Sequence, residues 1–252
     1  MAFFVLASVW SWLAWGLAIL LGRPWADPFI LVLWGLGALG PAMAASALVA
    51  LGRNRRSPRW FWATVLVPRI SPGMALALVG FAAGPYLVAG LLTTGGLGMR
   101  GEIQIGFLAA GLAARVAEEP GWRGYAQDQL QRRWRPLSAM LVVGIAWALW
   151  HLPLFAIEGT YQHELGIGTP GFWLFLVTLL PHAVVYGWIY LASGMSIFAV
   201  VIFHALQNGA AELLSAPGAE VAELGLISAL AMALVVISRR MMLAPRRALA
   251  DR

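Results

Sequence analysis

The feature that most constrains this chain is a succession of apolar runs matched to the thickness of a bilayer. A hydrocarbon core of ~30 Å takes about 20 helical residues to cross, and the sequence offers about eight runs of that length. They are roughly Phe3 to Leu21, Phe29 to Leu51, Gly73 to Leu92, Ile103 into the polar stretch at Glu118, Leu137 to Ile157, Phe172 to Leu191, Ser196 to Leu214 and Val221 to Ile237. Lipid offers the backbone no hydrogen-bond partners, so runs this long are helices. Composition agrees: 61% of residues are hydrophobic and 11% charged, against about half and a quarter in soluble domains. The expected fold is therefore an all-α integral membrane protein, a single transmembrane domain over residues 1–252 with about eight helices. No polar linker marks a second domain, and no repeat of fixed period is visible. The short apolar stretch Trp60 to Val67, fenced by Arg59 and Arg69, is expected at the interface.

The formal net charge of +6 comes from 17 basic residues, all Arg. They cluster between apolar runs instead of forming a basic face, which argues against a nucleic-acid partner. Arg53, Arg55, Arg56, Arg59 and Arg69 fall in one loop, Arg132, Arg133 and Arg135 in another, and Arg239, Arg240, Arg246, Arg247 and Arg252 in the tail. With these inside, both termini are cytoplasmic and the outside loops keep Arg23 and Arg100. The first run lacks a basic leader and a cleavage site, so it reads as a retained helix. Its tryptophans, like the tail arginines, read as interface anchors. Basic residues that are all Arg fit a GC-rich genome and so a bacterial plasma membrane. Without Cys there is no disulfide or thiolate metal site, and without Lys no Schiff base or phosphate-loop lysine.

Ionisable residues inside membrane helices cost ~2.5–3.5 kcal/mol each at the centre and mark candidate functional positions. In Ala117-Glu118-Glu119-Pro120-Gly121-Trp122-Arg123, Glu119 and Arg123 are four apart and can pair. Glu118 points about 100° away, as a general base would need to. A solvated helix end is the plainer alternative. In Trp147-Ala148-Leu149-Trp150-His151-Leu152-Pro153, His151 follows Trp147 on one face; alone it could be an interhelical hydrogen-bond donor. In His204-Ala205-Leu206-Gln207-Asn208, His204 and Asn208 share a face and could hold a metal or an oxyanion, or serve with Gln207 as helix–helix glue. His182 beside Pro181 reads as a packing histidine, and His163 as solvated. Glu118, Glu119, His151, His204 and Asn208 come from three different runs, and one shared internal polar chamber would accommodate them all. At 1.5 Å per residue, Glu118 lies ~22 Å below the outer face, His204 ~12 Å from the cytoplasmic face and His151 ~21 Å from it, so His151 sits further out.

The three motifs resemble those of the CPBP family of intramembrane proteases, which includes the type II CAAX prenyl endopeptidase. Its pattern is Glu-Glu-x-x-x-Arg, then Phe-x-x-x-His, then His-x-x-x-Asn on successive helices. Here Glu118-Glu119 to Arg123 and His204 to Asn208 match in full, and Trp147 replaces Phe before His151. The protease-like core spans roughly residues 103–214. The resemblance implies peptide-bond hydrolysis near the cytoplasmic face, with Glu118 and His151 activating water, His204 and Asn208 stabilising the oxyanion, and Glu119 and Arg123 supporting the site. The family is often labelled metalloprotease, and Glu118, His151 and His204 could bind Zn²⁺ with an open position for water. No His-Glu-x-x-His motif compels it, and a metal-free glutamate mechanism uses the same atoms.

The expected partners are the lipid bilayer and a peptide or membrane-protein substrate. Two other readings compete. A non-catalytic binding or immunity protein would use the same chamber, and a proton-coupled carrier would relay protons through its Glu and His, although no inverted repeat is visible.

Overall fold

The computed structural model describes residues 1–52, 57–94 and 115–244, and their regular structure is entirely helical. In chain order the elements are α1 (Ala2–Leu21), α2 (Pro28–Ala38), α3 (Gly40–Ala50), α4 (Pro58–Leu66) and α5 (Pro72–Thr94). Next comes α6, the helical residues 115–130, which contains a π-helical stretch, Pro120–Gln127. The remainder are α7 (Pro136–Trp150) with a 3₁₀ continuation Leu152–Ala156, α8 (Tyr161–Leu165), α9 (Pro170–Ala192), α10 (Ile197–Leu214), α11 (Glu220–Ile237) and α12 (Arg239–Leu243).

Among the described residues six helices are long and apolar enough to cross a membrane: α1, α5, α7 with its continuation, α9, α10 and α11. The pair α2 and α3, bent by 40°, makes a seventh if counted as one span. These match seven of the about eight expected runs, and most of the other, from Ile103, lies outside the described residues. Large apolar side chains face outward where lipid would be, with Leu20 85% and Ile237 80% exposed. The stretch expected at the interface is α4, too short to span, and it buries Phe61, Thr64 and Val65.

The bend between α2 and α3 has an identifiable cause. Pro41 has no N–H, so the carbonyl of Gly37 loses its partner four residues on. Ser11 of α1 supplies one: its hydroxyl donates to Gly37 O at 2.7 Å. Neighbouring carbonyls are also met from α1, with Trp10 Nε1 donating to Leu36 O at 2.8 Å and Trp15 Nε1 to Trp34 O at 3.0 Å. So α1 makes up for the hydrogen bonding that the proline removes. Gly40 is required by this closeness: a Cβ there would lie 2.1 Å from Ser11 Oγ and 2.7 Å from the Ala7 carbonyl oxygen. Overpacking of this kind costs about 1–3 kcal/mol, so Gly40→Ala is expected to lower the thermal unfolding midpoint in detergent. Tryptophan fluorescence would register it, and an unchanged midpoint would mean that α1 and α3 separate at little cost.

The same logic seats α6. A Cβ on Gly121 would lie 2.5 Å from both Cβ and the carbonyl oxygen of Pro41, so the π-helical stretch touches α3 backbone to backbone. Pro120 cannot donate to the carbonyl four residues before it, which favours the wider π turn there. Helix α9 packs along α7 and α11, and α10 along α5 and α4. Gly144 of α7 faces Ala183 of α9, small residues that let the two backbones approach. Thr169 and Ser196 cap the N-termini of α9 and α10, accepting from Phe172 N and Ala199 N.

Candidate active site

Helices α6, α7, α9 and α10 converge on one buried polar cluster. Its base is the pair foreseen at i, i+4: Arg123 Nη1 donates to Glu119 Oε1 at 2.9 Å and Oε2 at 3.0 Å, with both side chains wholly buried. The guanidinium carbon lies 4.5 Å from the ring centre of Trp147 and 4.5 Å from that of Tyr186. A planar cation between aromatic rings is held by their electron-rich faces, and the carboxylate fixes its in-plane direction.

His204 of α10 stands on the other side of Glu119. Its Nδ1 is 2.6 Å from Glu119 Oε1, and its Nε2 is 3.0 Å from Arg115 Nη1. A guanidinium only donates, so Nε2 accepts, and the ring proton assigned from these partners sits on Nδ1, donating to Glu119. Glu118 is 3% exposed. Its Oε1 accepts from Arg115 Nη1 at 2.8 Å and its Oε2 from Trp147 Nε1 at 3.0 Å. Each carboxylate oxygen keeps a further lone pair for water.

His151 caps the C-terminus of α7, a turn beyond Trp147, and its Nδ1 donates to the Trp147 carbonyl at 2.7 Å. That leaves Nε2 as the lone-pair nitrogen of the neutral ring. Its ring packs against Trp150 at 4.9 Å and Phe175 at 5.3 Å. No hydrogen bond joins His151 to Glu118 among the described residues; Trp147 stands between them, 5.4 Å from the His204 ring. Asn208 is half-buried, a turn after His204. The helix–helix contact comes from its neighbour: Gln207 Oε1 accepts from the Tyr186 hydroxyl at 2.9 Å, and Gln207 Nε2 donates to the Tyr86 hydroxyl of α5. His182 lies apart from the acids, donating through Nδ1 to Thr178 O at 2.9 Å. His163 is in the short helix α8, away from the cluster.

Three participants escaped the sequence reading. Arg115, three residues before Glu118, carried the signal that any charge in an apolar run carries, but it was counted with neither the loops nor the motifs. Trp147 was placed on the His151 face without its role as donor to Glu118. Tyr186 had no signal in its own neighbourhood.

The candidate metal set does not fit an ion in this arrangement. No group of three His, Asp or Glu side chains among the described residues is placed to hold one. Both His204 nitrogens are engaged, and the cation between Glu118 and His204 is the Arg115 guanidinium.

A family model described as type II CAAX prenyl endopeptidase Rce1-like matches residues 101–210, which contain all three motifs. Over those residues, less than half of the chain, the protein is similar to the Rce1-like family. A curated relative, CAAX prenyl protease 2 of Methanococcus maripaludis, is 36% identical over 132 residues, 52% of this chain. That alignment takes in 49% of the relative, so the chain spans about half the length of the curated protein it matches. The Rce1-like match ends at residue 210, so it takes in α6, α7 and α9 and most of α10.

Proposed function

We propose that this protein is an intramembrane endopeptidase whose nucleophile is a water held by Glu118. The supporting observation is Glu118 itself, a buried carboxylate steadied by a cation on one oxygen and an indole N–H on the other. Buried carboxylates need such partners. One that shares its arginine with the ring nitrogen of His204 is equipped for general-base work.

Glu118 takes a proton from water as the water oxygen bonds to the substrate carbonyl carbon. The Nε2 lone pair of His151 orients that water. The resulting oxyanion is stabilised by the N–H of the Asn208 amide, while His204, whose Nε2 is an acceptor, holds Arg115 in place. Glu118 then passes its proton to the departing amide nitrogen as the C–N bond breaks. Water added across the amide gives a carboxylic acid and an amine. Glu119 and Arg123 keep His204 and α6 in place. The substrate is a peptide or membrane-protein segment presented near the cytoplasmic face.

The test is cleavage of a peptide library by purified protein in liposomes, with and without chelator, alongside Glu118→Ala. Cleavage by wild type that persists in chelator and is lost in Glu118→Ala is expected. Loss of wild-type activity in chelator would replace the glutamate mechanism with a metal-dependent one. Peptides bound without cleavage would favour the non-catalytic binding protein.

A further inference from the structure

We infer that Arg115 is the resident cation of this site, a positioning residue whose guanidinium joins Glu118 to His204 in the place where a divalent ion would otherwise be held. Its catalytic consequence rests on the protease reading above; its geometry does not. One nitrogen, Nη1, is 2.8 Å from Glu118 Oε1 and 3.0 Å from His204 Nε2. These are hydrogen-bond lengths, ~1 Å longer than zinc–ligand bonds. Both distances suit a donor nitrogen, and an ion at that point would need each ligand ~1 Å closer to it. The two acceptors are also two of the three groups that sequence alone nominates as metal ligands.

Charge arithmetic on α6 points the same way. Two adjacent carboxylates in a low-dielectric interior repel, and each needs a counter-charge to remain ionised. Glu119 has Arg123, one turn later, and Glu118 has Arg115, one turn earlier. A divalent ion added beside Arg115 would meet a like charge at hydrogen-bond distance from its ligands. The arginine also sets the tautomer of His204, because Nε2 must accept from it while Nδ1 donates to Glu119. Arg115 thus acts through two neighbours, fixing the Glu118 carboxyl group and the His204 ring each in one orientation.

Removing the guanidinium should leave a vacancy that an ion can fill. Co²⁺ is the probe, because its visible bands report coordination by His and carboxylate without any assay of activity. Wild type is expected to take up no Co²⁺ at this site. Arg115→Ala is expected to bind about one equivalent with new bands, as a site of nitrogen and oxygen donors does. Adding His204→Ala should abolish the bands. Arg115→Lys restores a cation, so it should bind no Co²⁺ and hydrolyse peptide within about tenfold of wild type, while Arg115→Ala falls about a hundredfold in kcat. The inference is overturned if wild type binds Co²⁺ in a manner that His204→Ala removes. A well-folded Arg115→Ala that binds no Co²⁺ and hydrolyses like wild type also overturns it. Should Arg115→Ala fail to fold, the wild-type titration and Arg115→Lys still decide. If wild type hydrolyses nothing, the protease reading fails while the Co²⁺ arms remain readable.

Discussion

Arg123→Met is expected to unfold the protein or leave it aggregated in detergent, although the hydrogen bonds of Arg123 go to Glu119 and not to Glu118. Removing one partner of a buried ion pair leaves the other charge without compensation, at about 3–5 kcal/mol. Here the abandoned group is Glu119, which is wholly buried and also receives His204 Nδ1. The guanidinium additionally fills the space between Trp147 and Tyr186. Methionine fills part of that slot and offers no donor. Arg123→Lys should rescue poorly, because an ammonium cannot lie flat between two rings while reaching both carboxylate oxygens. Size-exclusion profiles and thermal midpoints measure the effect. A monodisperse Arg123→Met with a midpoint near wild type would show that Glu119 finds another partner or loses its charge without penalty.

The second large effect is of the opposite kind. Glu118→Gln should lower the thermal midpoint far less than Arg123→Met, because the abandoned Arg115 is not fully buried and keeps His204 Nε2 as an acceptor, while hydrolysis falls about a thousandfold, within the range of a positioned general base. The amide has the same shape, and its oxygen can still accept from Trp147 Nε1, but it cannot take a proton from water. Together the two substitutions separate adjacent glutamates by function: Glu119 by its effect on folding, Glu118 by its effect on rate. Activity retained by Glu118→Gln would remove Glu118 from the mechanism, whatever the midpoint.

Legibility in the sequence followed the range of the interaction. The Glu119–Arg123 pair is readable because four residues on a helix set the distance. The bend at Pro41 is foreshadowed by the proline, but its closure by Ser11 is not, since nothing local says which helix lies alongside. Gln207 could be foreseen as interhelical glue; that it would join Tyr86 to Tyr186 required knowing which faces of α5 and α9 meet. Arg115 was hidden for a different reason. Arginines had been sorted by loop to find orientation, so one inside an apolar run, beside the very carboxylate of interest, was weighed as neither loop charge nor site residue. The run from Phe29 to Leu51 reads as one span because length and hydropathy do not reveal where a proline divides it.

Helix α1 carries none of the three motifs, and its tryptophans invited the view that it is an anchor. The structure gives it another task. Ser11 accepts from Trp150 Nε1 at 2.7 Å while donating to Gly37 O, and Trp12 Nε1 donates to the Trp150 carbonyl at 3.2 Å. Trp150 in turn packs on the His151 ring and on Trp122. A single hydroxyl thus ties the kinked span to the indole that packs on His151. Changes as small as Ser11→Ala would travel along that tie to His151 without altering any motif, so in related chains the partner of position 11 would be found at the kink and not among the acids.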